Sequence, residues 1–315
     1  MPDTPESRAH RAALEAAFGP ALREAAGPRG FVETFEHDGD PAEPARLVAH
    51  AASRGAPSRR ATVLFLHGKG GFAAEWRRDA VRALKLGYNV VVPELRAHAP
   101  SGGARITYGL RERGDVALLV AEAARRFRVD PRRLGLDGAS YGALVALHVA
   151  ADDPRIRALW LRSPFADLPA MAGQYVARAT GLPRGLVALP ARLYVALAER
   201  SAGLPLTALD PLRAARRVVC PAVVVHGEAD ELVPVEIAPP VHAALGGQKE
   251  LWILPRAGHE HHADEPSGLH AAAYARRWTA FMGSFLPPAS RPRSSSPAGT
   301  REERPQRRRR RGRRA

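Results

Sequence analysis

The chain has 315 residues, 45% hydrophobic and 25% charged, a balance that can bury one large α/β core or two smaller ones. Its net charge of +15 is uneven: the last 29 residues hold 11 arginines and 2 glutamates, and the bias of 44 arginines to three lysines is what a GC-rich coding sequence produces, so the body gives little reason to invoke nucleic acid. No apolar run approaches the ~20 residues of a membrane span, and Met1-Pro2-Asp3-Thr4-Pro5-Glu6 shows neither a basic start nor an apolar signal core, so a cytoplasmic protein is expected.

Residues 8–26 place Leu14, Ala17, Phe18, Ala21 and Leu22 at helical spacing between charges, which predicts an amphipathic packing arm over residues 1–28, ended by Gly27-Pro28. Two extended runs, 31–36 and 45–51, flank the turn-rich Asp38-Gly39-Asp40-Pro41 and read as an antiparallel hairpin. Strands and helices then alternate. Short apolar runs at 62–67, 88–93, 133–137, 156–162, 222–226 and 250–254 have strand length. Helical patterns occupy 75–86, 110–126, 142–150, 234–245 and 269–285. Such alternation predicts an α/β domain over 29–286, with a mostly parallel sheet and helices on both faces.

One interval breaks the rhythm: about 55 residues separate the strand ending at Arg162 from the next, near Val218. This apolar, helix-forming stretch predicts a helical cap insertion at about 165–210, over the carboxyl edge of the sheet where ligands bind in open α/β folds. Cys220, the only cysteine, rules out an intrachain disulfide and a cysteine-based zinc site. Within Val218–Val225 it reads as an inert core thiol. From residue 287 on, Pro, Ser and Arg replace core formers, which predicts a disordered tail over 287–315.

Gly138-Ala139-Ser140-Tyr141-Gly142 is the stretch richest in chemistry, because it sits between an apolar strand and an apolar helix. Strand, G-x-S-x-G, then helix is the context of a nucleophile elbow. A serine hydroxyl is a weak nucleophile at neutral pH and needs a base, itself oriented by an acid. In the elbow architecture these follow in the order serine, acid, histidine. Asp230, in the loop after 222–226, fits the acid, with Glu228 as its rival. His259, in the loop after 250–254, fits the base, with His261 and His262 as rivals. Each of the three follows its own strand. Asp210, before Pro211, reads as a helix cap or turn residue. The glycines of His67-Gly68-Lys69-Gly70-Gly71 let backbone amides face a developing oxyanion; the Tyr141 and Lys69 amides are the expected donors, with Gly70 next.

Further supporting stretches are Thr107-Tyr108-Gly109 followed by Glu112 and Asp115, Ser163-Pro164-Phe165-Ala166-Asp167-Leu168, and His226-Gly227 followed by Asp230, Val233 and Pro234. On these residues the chain resembles the α/β-hydrolase superfamily, and within it the bacterial hydrolases grouped with serine aminopeptidase-like and prolyl-oligopeptidase-like catalytic domains. The resemblance covers roughly residues 30–286. It implies the α/β-hydrolase fold with an eight-stranded sheet, and Ser140, Asp230 and His259 as a catalytic triad. One departure is the R-G-H-G-x-S turn of such proteins, which here is Arg96-Ala97-His98-Ala99-Pro100-Ser101, a change expected to bear on substrate shape. No β-propeller precedes the domain, which disfavours the restricted-entry peptidase form.

The expected activity is that of a serine hydrolase acting on an ester or related acyl compound, a small-molecule substrate, with no cofactor. The alternatives are a peptidase and, less favoured, a non-catalytic binding protein on the same fold. Met171, Tyr175 and Tyr194 in the insertion are expected to line an apolar pocket. His259-Glu260-His261-His262 invites a metal reading, but H-E-x-x-H needs a histidine at 263, where Ala263 stands, so no metal is expected. Asp137, Glu112 and Asp115 read as structural. The basic tail is a candidate contact for nucleic acid or an anionic surface.

Overall fold

The inner strands are built from Val, Leu and Ile that are buried on both sides, which requires helices on each face of the sheet. The computed structural model, which describes residues 5–39, 45–206, 209–259 and 270–288, has that form. Its strands are β1 (Phe31–Asp38), β2 (Arg46–Ser53), β3 (Thr62–Leu66), β4 (Asn89–Glu94), β5 (Leu134–Ala139), β6 (Ile156–Arg162), β7 (Ala222–Gly227) and β8 (Lys249–Leu254). They make one eight-stranded sheet in the order β1-β2-β4-β3-β5-β6-β7-β8. Strand β2 runs antiparallel to both β1 and β4, and the other pairs are parallel. The fold is the α/β-hydrolase fold.

The helices are α1 (Pro5–Ala26), α2 (Arg77–Lys85), α3 (Glu112–Phe127), α4 (Tyr141–Asp152), α5 (Leu168–Thr180), α6 (Arg184–Ala202), α7 (Pro211–Arg217), α8 (Ala238–Ala244) and α9 (Ala271–Phe285). One face of the sheet packs against Val116 and Leu119 of α3, Leu147 of α4, Ala214 of α7 and Val241 of α8. The other face packs against Phe18 and Leu22 of α1, Leu84 of α2, and Tyr274 and Trp278 of α9. The interval between β6 and β7 holds the pair α5 and α6, then the short α7, for which the sequence carries no helical periodicity. Asp210 caps α7, its carboxylate accepting the Arg213 amide at 2.8 Å, so it works as a helix cap. Helix α8 starts four residues later than its apolar pattern suggests, because Pro239 and Pro240 are tolerated only in a first turn. No described helix is long and apolar enough to cross a membrane. Of the expected tail, 287–315, all but the first two residues lie outside the described residues, as do His261 and His262.

Strand order sets where a site can form. The chain leaves β3 for β4 on one side and returns to β5 on the other, so loops diverge above β3 and β5 and open a crevice. Beneath it a buried charge cluster joins the layers. The Arg162 guanidinium donates to both oxygens of Asp137, at 2.8 and 2.6 Å, and to Asp79 at 3.2 Å. It lies between the rings of Trp76 and Tyr274, while the Trp278 indole N–H also reaches Asp137 at 2.8 Å. Asp137 is therefore fully engaged in structure, and β5, β6, α2 and α9 are tied at one point.

His148 of α4 is 3% exposed, and its Nε2 is buried without a hydrogen-bond partner among the described residues. Burial, aided by the Arg113 charge, pulls its pKa down to about 4. Between its ordinary value of 6.5 and about 4 the unfolded chain takes up a proton that the fold refuses. Its stabilising effect is thus complete above that window and lost as pH falls through it. Denaturant titrations across this range should show a loss of ~3 kcal/mol from this residue. His148→Leu should remove that share of the acid slope; an unchanged slope would refute the assignment.

Candidate active site

Ser140 occupies a position with no spare residue for a turn. Its N–H donates to Arg162 O at 2.8 Å, continuing the β5–β6 ladder, and its carbonyl already accepts Leu144 N–H at 3.1 Å in α4. One residue closes the strand and opens the helix, which forces it to φ 52° and ψ −114°. Such a backbone strains a non-glycine residue. Gly142 is required two residues on, because a Cβ there would lie 2.1 Å from Leu66 O at the end of β3. This contact sets the serine beside the loop His67–Gly71.

Asp230 follows β7. Its Oδ1 accepts the Leu232 and Val233 amides at 3.0 and 2.8 Å, which holds the carboxylate in one orientation. Its Oδ2 faces His259 Nδ1 at 2.8 Å and His226 Nε2 at 3.4 Å. Burial alone would raise the carboxyl's pKa, but the hydrogen bonds from His226 and His259, with the His259 charge, hold it well below the usual carboxylate range. It is an anion at any physiological pH. His259 Nε2 lies 3.1 Å from Ser140 Oγ. With Nδ1–H given to Asp230, the Nε2 lone pair faces the hydroxyl, the tautomer a general base needs. The imidazole is 15% exposed and Ser140 5%, so the pair is shielded yet reachable.

The loops of Asp230 and His259 meet because Gly227 ends β7. A Cβ there would lie 2.3 Å from Ala257 O. Glu228 accepts the Arg256 amide at 3.0 Å and so clips the two loops together, away from the histidine ring.

The donor side is built by residues to which the sequence reading gave no catalytic part. His98 donates from Nδ1 to Arg96 O at 2.9 Å, and its Nε2 accepts the Gly70 amide at 3.0 Å. Gly70, the second choice for an oxyanion donor, is thereby engaged, while Lys69 lines the cavity together with Ser140 and Tyr141. Tyr141 is anchored through its ring, stacked on His98, and through its hydroxyl, which donates to Glu112 at 2.9 Å. Glu112 also accepts from the Thr107 and Gly109 amides and the Thr107 hydroxyl, at 2.6 to 2.7 Å. Asp115 holds Arg96 bidentately at 2.6 and 2.8 Å. The altered turn at 96–101 is therefore a brace for the Gly70 loop. None of its residues lines the cavity, so the expected effect on substrate shape is not seen there.

The cavity at Ser140 measures ≈ 410 Å³ and is walled by Phe165, Met171, Tyr175 and Tyr194, with Tyr108 and Val195 among its other apolar sides. Lys69 Nζ lies 5.1 Å over the Tyr175 ring, spanning from the β3 loop to α5. A larger hollow of ≈ 640 Å³ between α5, α6 and Pro234–Ile237 contains none of Ser140, Asp230 and His259, and has no part in this chemistry. Cys220 is buried elsewhere, and burial pushes its thiol up to about 12, as an inert core cysteine requires.

Backbone strain at Ser140 has a measurable consequence. Glycine relaxes at φ 52°, whereas alanine does not. Ser140→Gly should therefore be more stable than Ser140→Ala by about 1 kcal/mol, read as a melting temperature higher by ~2–4 °C. Equal melting temperatures would mean that the turn stores no strain.

A model of the alpha/beta hydrolase family matches residues 63–273. Protein YfhR of Escherichia coli (strain K12), itself uncharacterized, is 26% identical over 232 residues, 72% of each chain. The Pyrococcus furiosus esterase Pf2001 is similar in structure with a TM-score of 0.64 and 23% identity, over 81% of this chain and 93% of that one. Pyrococcus horikoshii acylaminoacyl peptidase gives a TM-score of 0.62 and 17% identity, over 82% of this chain and 42% of that one. At these identities the two structural likenesses speak for the fold alone. The family model, however, spans about two thirds of the sequence and takes in both the elbow and the Asp230 loop, and the chain belongs to the alpha/beta hydrolase family and is a hydrolase.

Proposed function

We propose that the protein is a serine hydrolase that cleaves a carboxylic ester, with Ser140 as nucleophile, His259 as general base and acid, and Asp230 as the group that orients and stabilises the imidazole. The observation that carries this reading is the chain of contacts from Asp230 Oδ2 through His259 to Ser140 Oγ, at 2.8 and 3.1 Å. Ser140 Oγ attacks the ester carbonyl while His259 Nε2 takes its proton. The carbonyl oxygen becomes an oxyanion held by the Tyr141 and Lys69 amides. Collapse expels the alcohol, which receives the proton from His259 and leaves an acyl-serine. Water, deprotonated by the same nitrogen, then releases the acid and restores the serine. Each oxyanion donor contributes ~3 kcal/mol to transition-state binding in such sites.

The lining of the cavity favours an ester of an apolar acid or alcohol over the aminopeptidase reading. A free amino terminus needs a carboxylate to hold its charge. Among the described residues the wall beside Ser140 offers aromatic and aliphatic side chains, and the charged one among them is Lys69, which repels an ammonium.

A fluorophosphonate probe should label the wild-type protein stoichiometrically and leave Ser140→Ala untouched, as read by intact mass. Asp230→Asn should lower kcat by about 10⁴-fold with a near-native fold. Across p-nitrophenyl esters, kcat/KM should rise with acyl length and fall once the chain outgrows the cavity, while aminoacyl anilides remain poor substrates. Absence of labelling on the folded protein would overturn the serine mechanism, and faster turnover of anilides than of esters would replace the ester reading with the peptidase one.

A further inference from the structure

Large apolar side chains left in solvent are concentrated in one place. Of the ten such residues among those described, eight fall between Tyr175 and Leu197, on α5, α6 and the turn joining them, so the exposure has a local cause. Along α6 it is ordered. Val187, Ala191 and Val195, four residues apart, face inward and are 3–5% exposed. Leu186, Leu189, Leu193 and Leu197 run down the opposite face, at 67%, 76%, 59% and 57% exposure. A helix buried on one side of a water-soluble domain carries polar residues on the other; α6 is apolar on both.

The exposed charges of α6 itself have one sign. Arg184, Arg192 and Arg200 stand exposed at the start, middle and end of the helix, and its one acid, Glu199, is half-buried, while Glu236 reaches the hollow that Arg184 and Arg192 line. Leucines in a row with arginines alongside match the needs of a helix lying in the plane of an anionic bilayer. The leucines enter the acyl boundary, and the long arginine stems follow while the guanidinium groups stay among the phosphates. A second copy of the chain fits less well. Two α6 helices packed antiparallel about a two-fold axis would bring Arg192 against Arg192 and Arg184 against Arg200, with like charges opposed at the centre and both ends.

We propose that α6 docks this protein on an anionic lipid surface, with Leu186, Leu189, Leu193 and Leu197 inserted and Arg184, Arg192 and Arg200 on the lipid phosphates. The same helix, through the buried Ala191 and Val195 and the largely exposed Tyr194 at the rim, walls the cavity at Ser140. Docking thus holds that cavity against the bilayer, where apolar esters partition. Membrane attachment itself does not depend on the chemistry proposed for Ser140, and Ser140→Ala should bind vesicles as the wild type does.

The test must separate α6 from the arginines beyond residue 289, which attract anionic vesicles on their own. Leu193→Cys in the full chain, labelled with an environment-sensitive nitrobenzoxadiazole, reports on the ridge directly. Cys220 does not compete, being buried with a thiol pushed up to about 12. On vesicles of equal parts phosphatidylcholine and phosphatidylglycerol the label should shift to the blue and brighten several-fold. The same label on Val219→Cys, exposed on another part of the surface, should not change. Leu189→Ser with Leu193→Ser, at an unchanged melting temperature, should weaken co-sedimentation at least about tenfold. The triple change of Arg184, Arg192 and Arg200 to Gln should weaken binding to the anionic vesicles and leave binding to phosphatidylcholine alone unaltered. Binding in which the label at 193 stays in water would assign attachment to another surface and overturn the proposal. So would no binding at all, or a label shift that grows with protein concentration without lipid, which would reveal self-association.

Discussion

A strand and a helix share a single residue in this protein, and the site is organised around that junction. The amide of Ser140 belongs to the sheet and its carbonyl to α4, so neither torsion is free to relax without giving up a hydrogen bond in one element or the other. Because α4 begins at once, its second residue is driven against the end of β3, where only the missing side chain of Gly142 permits the approach to Leu66 O. The serine and the loop after β3 are thus placed by one backbone contact, which side-chain motion cannot alter. Around it the fold adds braces from distant segments. Glu112 holds the Tyr141 ring and His98 holds the Gly70 amide, while Arg96, held in turn by Asp115, carries the carbonyl that fixes the His98 tautomer.

Electrostatics divide the region into two compartments. Below the serine, Asp137 lies three residues upstream and buried, close enough in sequence to suggest competition for His259. Arg162 and Trp278 take up both of its oxygens, so its charge is spent within the core. Above the serine, Asp230 meets no arginine among the described residues; its charge is met by two backbone amides and two histidines. An arginine there would neutralise the carboxylate permanently. Amides and imidazoles orient it yet leave its field available to an imidazolium that forms and disappears during a reaction. His226, fully buried beside Val233 O at 2.8 Å, belongs to this arrangement.

Much of this was legible in the sequence because it is local. Strands and helices announce themselves through periodicity within a dozen residues, and Ser140, Asp230 and His259 each follow their own strand. What stayed hidden depends on contacts across the chain. The engagement of the Gly70 amide depends on His98, 28 residues from Gly70. The turn at Arg96–Ser101 departs from the family pattern and so drew attention as a determinant of substrate shape, but its side chains point to bracing: Ser101 accepts Val48 N–H and donates to Glu94 O, and Ala97 takes the left-handed backbone at φ 59°. Helix α7 is only seven residues long, too short for periodicity to mark, although the Asp210-Pro211 cap at its start was readable.

In the proposed mechanism, chemistry and selection therefore rest on different supports. Ser140, Asp230 and His259 are mounted at strand ends, where the sheet resists displacement. The walls that would meet a substrate's apolar part come largely from α5 and α6, which pack chiefly on each other and carry Pro190 within α6, at the cost of a main-chain hydrogen bond to Leu186. A change in the seating of α6 would move Ala191, Tyr194 and Val195 together while leaving the serine and histidine in register. Exposed leucines on the outer face of that helix are costly in water, whereas the inner face needs apolar residues to wall the cavity. Whatever covers the outer row is separated from the inner wall by the width of this one helix, and a shift of the helix against α5 would change the cavity's shape.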